Sequence, residues 1–191
     1  MTNPETIIIR EDDIDTKTHQ SLRCVLQSGF PNAGEFLEKD YFRTPPEYRI
    51  LAMDGEKICG QISLVDRHLF LNNQIINVAG IADLSVEWDY SSCGLGTRLI
   101  KEWIKFAKEL SLYDISIGLA NNSKSVRILT KLGYVNSPTP FMFRDRFGKQ
   151  KDFMAAHHVY AHPLNLKPEY FSNLLASMKC QDILNFPGET F

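Results

Sequence analysis

The spacing of apolar residues changes along the chain, and each change marks an element. Thr6 to Ile9 is a β-branched run that predicts a short strand. Through "REDDIDTKTHQSLRCVLQSG" the period lengthens, so that Leu22, Val25 and Leu26 share one helical face, with Asp15 placed to cap the helix and Gly29 to stop it. "AGEFLEKDYF" predicts a short second helix or helical turn, broken at Pro45 and Pro46. Tyr48 to Met53 and Lys57 to Leu71 are two strands around the turn "DGE", and "LNNQ" turns the chain into a third strand from Ile75 to Val86. Leu95, Leu99, Ile100, Trp103, Ile104, Ala107 and Leu110 then recur at helical spacing, so one face of that helix must be buried. "YDISIGLA" is the next strand, and "NNSKSVRILTKLGY" is a helix capped by Asn122 or Ser123 and ended by a left-handed Gly133. A strand from Tyr134 to Phe143, a hairpin turn at "DRFGKQK" and a strand from Phe153 to His162 follow. Pro168 opens a last helix with Tyr170, Phe171, Leu174, Leu175 and Met178 inward, and "QDILNFPGETF" is a non-helical tail.

The order from Ile75 to Leu119 is strand, helix, parallel strand, set behind an antiparallel meander. That predicts an α+β chain on a mixed, mostly antiparallel sheet flanked by helices. With 191 residues, 43% of them apolar, the chain has enough material for one sizeable core, so residues 1–191 are expected to form a single domain. A formal charge of −2 with scattered Lys and Arg leaves no basic stripe for a phosphate backbone, which argues against nucleic acid as a partner. "MTNPETIIIREDD" lacks the pattern of a signal peptide, and no apolar run approaches the ~18 residues that would span a bilayer. A soluble, cytoplasmic protein without a membrane partner is expected. Cys24, Cys59, Cys93 and Cys180 are far apart and form no C-x-x-C pair, so they read as free thiols. His157 and His158 are neighbours on a strand and face opposite sides, and no H-E-x-x-H or nucleophile elbow occurs, so no metal is expected. Trp103, Phe106, Tyr170 and Phe171 read as core or as a homodimer contact.

The chemistry concentrates at "SSCGLGTRL", Ser91 to Leu99, between the strand ending at Val86 and the amphipathic helix. A glycine-rich turn from strand into helix leaves backbone N–H groups pointing outward at the positive end of the helix dipole, which makes an anion site. Gly94 and Gly96 remove side chains where a phosphate would approach, and Ser91, Ser92 and Thr97 add hydroxyls. The loop lacks the Gly-Lys-Ser/Thr ending of a P-loop and the third glycine of the dinucleotide fingerprint. Cys93 lies where a helix N-terminus favours a thiolate, yet no base accompanies it, and it reads as a loop residue.

"LSVEWDYSSCGLGTRLIKEWIKFAKELS" followed by "NNSKSVRILTKLGY" resembles the GNAT superfamily of acyl-CoA-dependent N-acyltransferases, in which an L-x-V strand leads to [QR]-x-x-G-x-[GA], a helix, and N-x-x-A-x-x-L-Y-x-K-x-G-F. Leu84, Val86, Gly94, Gly96, Asn122, Lys131, Gly133 and Tyr134 match it, and Ser125 takes the alanine position. The resemblance implies the GNAT fold, with acetyl-CoA as co-substrate. It places the coenzyme A pyrophosphate on Ser91, Ser92, Cys93, Gly94, Leu95, Gly96 and Thr97, adds Asn122 and Ser125 to the coenzyme site, and lays pantetheine along Leu84 to Val86. Two positions depart from the pattern. Ser91 replaces the usual Gln or Arg, and Leu129 replaces the tyrosine that would protonate the departing thiolate.

"GEFLEKDY", "IADLSV" and the aromatic C-terminus are similar to the aminoglycoside 2′-N-acetyltransferases, and more loosely to the nodulation N-acyltransferases. That similarity implies an acceptor pocket at Glu35, Asp40, Asp83 and Phe191. An alkylammonium with a pKa near ~10 must lose a proton before it attacks a thioester, and Asp83 is the candidate base. The expected activity is therefore N-acetyl transfer to a primary amine of a small cationic molecule. The alternatives are transfer of longer acyl chains, or a non-catalytic acyl-CoA-binding module, which Leu129 and Ser91 motivate.

Overall fold

The structure, a computed structural model, describes residues 3–31, 39–41, 45–91, 93–120, 122–137, 141–144, 150–153, 158–179 and 184–189. In chain order the elements are β1 (Glu5–Arg10), α1 (Thr16–Gly29), β2 (Tyr48–Asp54), β3 (Lys57–Leu71), β4 (Gln74–Val86), α2 (Leu95–Leu110), β5 (Ile115–Ala120), α3 (Ser123–Lys131), β6 (Val135–Ser137), β7 (Phe141–Arg144), β8 (Gln150–Phe153), β9 (His158–Pro163), α4 (Pro168–Lys179) and β10 (Leu184–Glu189). Seven strands form one sheet in the order β1-β2-β3-β4-β5-β9-β6, and β10-β7-β8 form a second. The Asp114 N–H donates to Asn77 O at 2.9 Å, which sets the starts of β4 and β5 side by side and makes them a parallel pair joined through α2. This is the expected mixed α+β architecture.

Three expectations need correction. The strand expected over Tyr134–Phe143 is two strands in different sheets, β6 and β7, with residues 138–140 between them outside the described residues. The strand expected from Phe153 to His162 is two, β8 ending at Phe153 in the second sheet and β9 starting at His158 in the first, with residues 154–157 outside the described residues. Tyr170 is 62% exposed, not inward: Phe171, Leu174 and Met178, at i, i+3 and i+7, define the buried stripe of α4, and Tyr170 lies one residue off it. The short helix expected around Glu35 lies largely outside the described residues. Among the described residues no helix is long and apolar enough to cross a membrane.

Backbone contacts divide the chain into two compact units, residues 1–65 with 81–105 and residues 66–80 with 106–190. In the first, Asp15 caps α1 by accepting from the Thr18 N–H at 2.7 Å, and that bond lowers the Asp15 pKa. Leu22 and Val25 of α1 pack with Ile14, Leu51 and Ile58. Leu95, Leu99, Ile100 and Trp103 are the buried stripe of α2, and the Trp103 indole N–H donates to Ser63 O at 3.0 Å. At its C-terminal end α1 presses on β4. Ser85 Oγ donates to Val25 O at 2.7 Å, and a Cβ on Gly29 would lie 2.1 Å from Ser85 Oγ. Alanine in place of glycine ordinarily stabilises a helix by up to about 1 kcal/mol, but overpacking costs about 1–3 kcal/mol and the clash should win. Gly29→Ala is therefore expected to be destabilised in chemical denaturation. A variant as stable as the parent would mean that α1 does not close on β4 in this way.

In the second unit, Asn72 and Asn73, at φ +51° and +59°, form the two-residue turn of a hairpin, and Asn72 Nδ2 donates to Ser177 Oγ of α4 at 3.1 Å. Strand β9 pairs antiparallel with both β5 and β6.

Candidate functional site

The glycine loop is tied down at its start. Lys57 and Glu87 form an ion pair at 2.5 Å, the Glu87 N–H donates to Cys59 O at 3.0 Å, and the Tyr90 hydroxyl donates to Asp54 Oδ2 at 2.5 Å, which pushes the Tyr90 pKa up to about 12. Residues Trp88–Tyr90 form a 3₁₀ turn, and the exposed Cys93 thiol closes on Tyr90 O at 3.0 Å. The chain then reverses at Gly94, whose φ of +80° favours glycine. The first intrahelical bond of α2 runs from the Arg98 N–H to Gly94 O, so the N–H groups of Leu95, Gly96 and Thr97 precede the helical ladder. Gly96 is different from Gly94. Among the described residues a Cβ there would meet only Val86 Cγ2, at an ordinary 3.8 Å, so the fold itself has room for a Cβ. Of the other loop residues, Ser91 is half-buried and Ser92 lies outside the described residues.

The same unit buries a charged cluster beneath α1. Arg49, with no exposed surface, donates from Nε and Nη2 to the two Glu11 oxygens at 2.6 and 2.8 Å, and from Nη1 to Asp40 O at 2.7 Å and Gln61 Oε1 at 3.0 Å. Its Nη2 lies 3.3 Å from Asp40 Oδ2, which also receives His19 Nδ1 at 2.5 Å. Burial alone would lower the Arg49 pKa, but the bond to Glu11 and the charges of Glu11, Asp40 and Asp83 outweigh it and raise the pKa. Asp83 is 8% exposed and has a φ of +52°, a left-handed residue within β4 that Asp tolerates better than most side chains. Asp40 and Asp83, singled out from the sequence, thus belong to one electrostatic network with Arg49, while Glu35 and Phe191 lie outside the described residues. Glu11, His19 and Asp40 have the donor set of a metal site. Arg49 and His19 already occupy those carboxylates, and a cation entering there would have to displace a guanidinium.

Arg49, Glu11 and His19 were not singled out in the sequence, although one signal was present. Strand alternation in "YRILAM" puts Arg49 on the same face as the buried Leu51, and an arginine on a core face requires anionic partners.

In the second unit, Asn122 caps α3 by accepting from the Ser125 N–H at 2.9 Å, and the Ser125 hydroxyl donates to Asn122 O at 2.9 Å. Leu129 is buried. The Tyr134 hydroxyl is bonded to Ser116 Oγ at 2.7 Å, and burial raises its pKa.

Comparison with known proteins gives a family match over residues 15–134, to the acetyltransferase (GNAT) family. Among solved structures, the ribosomal-protein-S18-alanine N-acetyltransferase of Escherichia coli superposes with a TM-score of 0.53 at 14% identity, covering 86% of this chain and 97% of that one. An acyl-CoA N-acyltransferase from Pseudomonas aeruginosa gives 0.56 at 14% identity over 83% and 98%. A GCN5-related N-acetyltransferase from Anabaena variabilis gives 0.56 at 16% identity, with 72% of this chain covering about a third (34%) of that longer one. These likenesses establish the fold, and the family match spans well over half of the sequence, including the glycine loop and the "NNSKSVRILTKLGY" helix. The chain belongs to the acetyltransferase (GNAT) family, whose members use acetyl-CoA as co-substrate.

Proposed function

We propose that the protein transfers an acetyl group from acetyl-CoA to a primary amine of a small cationic acceptor, aminoglycoside or amino-sugar-like, by direct attack of the amine on the thioester. The observation that carries this reading is Gly96, a glycine at the opening of α2 where the described residues leave room for a Cβ. The pyrophosphate would rest on the N–H groups of Leu95, Gly96 and Thr97, with Ser91 to Gly94 as the enclosing loop, and pantetheine would follow Leu84 to Val86. A backbone N–H near Val86 polarises the thioester carbonyl. Asp83 meets the acceptor's ammonium and is the first candidate to draw off its proton. A thiol-release assay with acetyl-CoA over aminoglycosides, polyamines and amino sugars tests the activity. Coenzyme A binding without turnover across that panel would instead favour an acyl-CoA-binding module, the reading that the buried Leu129 supports.

Asp83→Asn keeps a residue that tolerates the left-handed backbone, so the variant should fold. Its kcat/KM for the amine is expected to fall about 100-fold at neutral pH. The deficit should shrink as pH approaches the amine's pKa of ~10, because a free amine needs neither a counter-ion nor a base. A wild-type rate at neutral pH would remove Asp83 from the acceptor site.

A further inference from the structure

The charge of Asp83, a residue 8% exposed, is one of those that raise the Arg49 pKa. The same cluster holds a second group that can accept a proton, His19, bonded through Nδ1 to Asp40. We infer that His19, oriented by Asp40, takes the proton from the acceptor's ammonium, while Asp83 serves as the ammonium's counter-ion. The inference rests on the acetyl-transfer reading.

Four features support it. The Nδ1 of His19 lies 2.5 Å from Asp40 Oδ2, which fixes the ring and leaves Nε2 as the basic nitrogen. The Asp40 side chain is 7% exposed and is itself held by Arg49, whereas the His19 side chain is 29% exposed and so retains an open edge. Glu11, Asp15, Asp40 and Arg49 are the charged groups that face or adjoin the imidazole. Finally, α1, which carries His19, bonds through Val25 to Ser85, two residues beyond Asp83 and one before Val86.

The step balances. The ammonium N–H bond breaks, its proton forms an N–H bond at His19 Nε2, and Asp40 pairs with the resulting cation. The neutral amine attacks the thioester carbon and the C–S bond breaks. The second proton lost by the attacking nitrogen passes through solvent to the coenzyme A thiolate, so no acid is required at Leu129. His19 then returns its proton to solvent.

The test is the pH dependence of kcat/KM for the best amine of the panel, in the wild type, His19→Gln and Asp40→Asn, with coenzyme A affinity and thermal unfolding as controls of folding. The wild type should show a bell with an acidic limb, where protonation of the base removes its ability to take the ammonium's proton. In His19→Gln the neutral-pH value should drop about 100-fold or more, and the limb should be replaced by a continuous rise toward the amine's pKa near ~10. His19→Ala should recover part of its rate in added imidazole, and Asp40→Asn should weaken the limb without removing it. An unchanged profile in His19→Gln, or a uniform drop with the limb intact, would overturn the inference and leave acetyl transfer standing. A wild type that turns over no amine would remove both.

Discussion

Arg49→Leu is expected to lose about 3–5 kcal/mol of stability at neutral pH, the cost of removing one partner from a buried ion network. In a chain of this length that corresponds to a fall in Tm of roughly 10 °C. The loss comes less from the missing hydrogen bonds than from what is left behind. Side chains of Glu11 and Asp40, 16% and 7% exposed, would lie near Asp83 without the guanidinium that bridges them. Leucine fills similar volume, so the cavity term is small and the electrostatic term dominates. The sign of the pH dependence follows. An uncompensated buried carboxylate binds a proton more readily in the folded than in the unfolded state, so lowering the pH stabilises the variant relative to the wild type. Denaturation at neutral pH and again about two units lower should show the gap narrowing. A loss below about 1 kcal/mol that does not change with pH would mean that Arg49 does not hold this cluster together.

The parts of the fold that could be read from the sequence are those fixed by short-range physics. Leu22, Val25 and Leu26 repeat at helical spacing behind an Asp15 cap, Asn72 and Asn73 are residues that accept positive φ, and Gly133 at φ +84° ends α3. The charged cluster was hidden because its members come from separate elements. Glu11 is 38 positions from Arg49 and His19 is 21 from Asp40, and each in its own neighbourhood resembles a solvated side chain. "EDDID" shows the difference within five residues. Asp15 acts locally as the helix cap, whereas Glu11 turns inward to a strand that no local pattern connects to it. The left-handed turn of β4 at Asp83 was likewise invisible, since Asp carries no mark of φ as glycine does. The glycine loop could be read for the opposite reason: its strand, turn and helix are contiguous.

Substitutions at Gly96 separate the needs of the fold from those of the ligand. Glycine within a helix costs about 1 kcal/mol relative to alanine, and among the described residues a Cβ at Gly96 would meet only Val86 Cγ2 at 3.8 Å. Gly96→Ala should therefore leave thermal stability unchanged or raise it slightly. In Gly96→Glu an acidic residue enters the first turn of α2, where the helix dipole favours negative charge by about 0.3–1 kcal/mol, so this variant should also fold. Coenzyme A affinity should move the other way. A methyl group directly before the N–H groups of Leu95 to Thr97 obstructs the approach of the pyrophosphate, and a weakening of about 10-fold is expected, equivalent to about 1.4 kcal/mol. Glutamate adds bulk and places its own carboxylate where the pyrophosphate would sit, so the loss should exceed about 100-fold. Calorimetric titration with coenzyme A, alongside thermal melts of both variants, measures the two effects separately. Wild-type affinity in a folded Gly96→Glu would take the pyrophosphate away from this loop, and the acetyl-transfer reading would lose its main structural support.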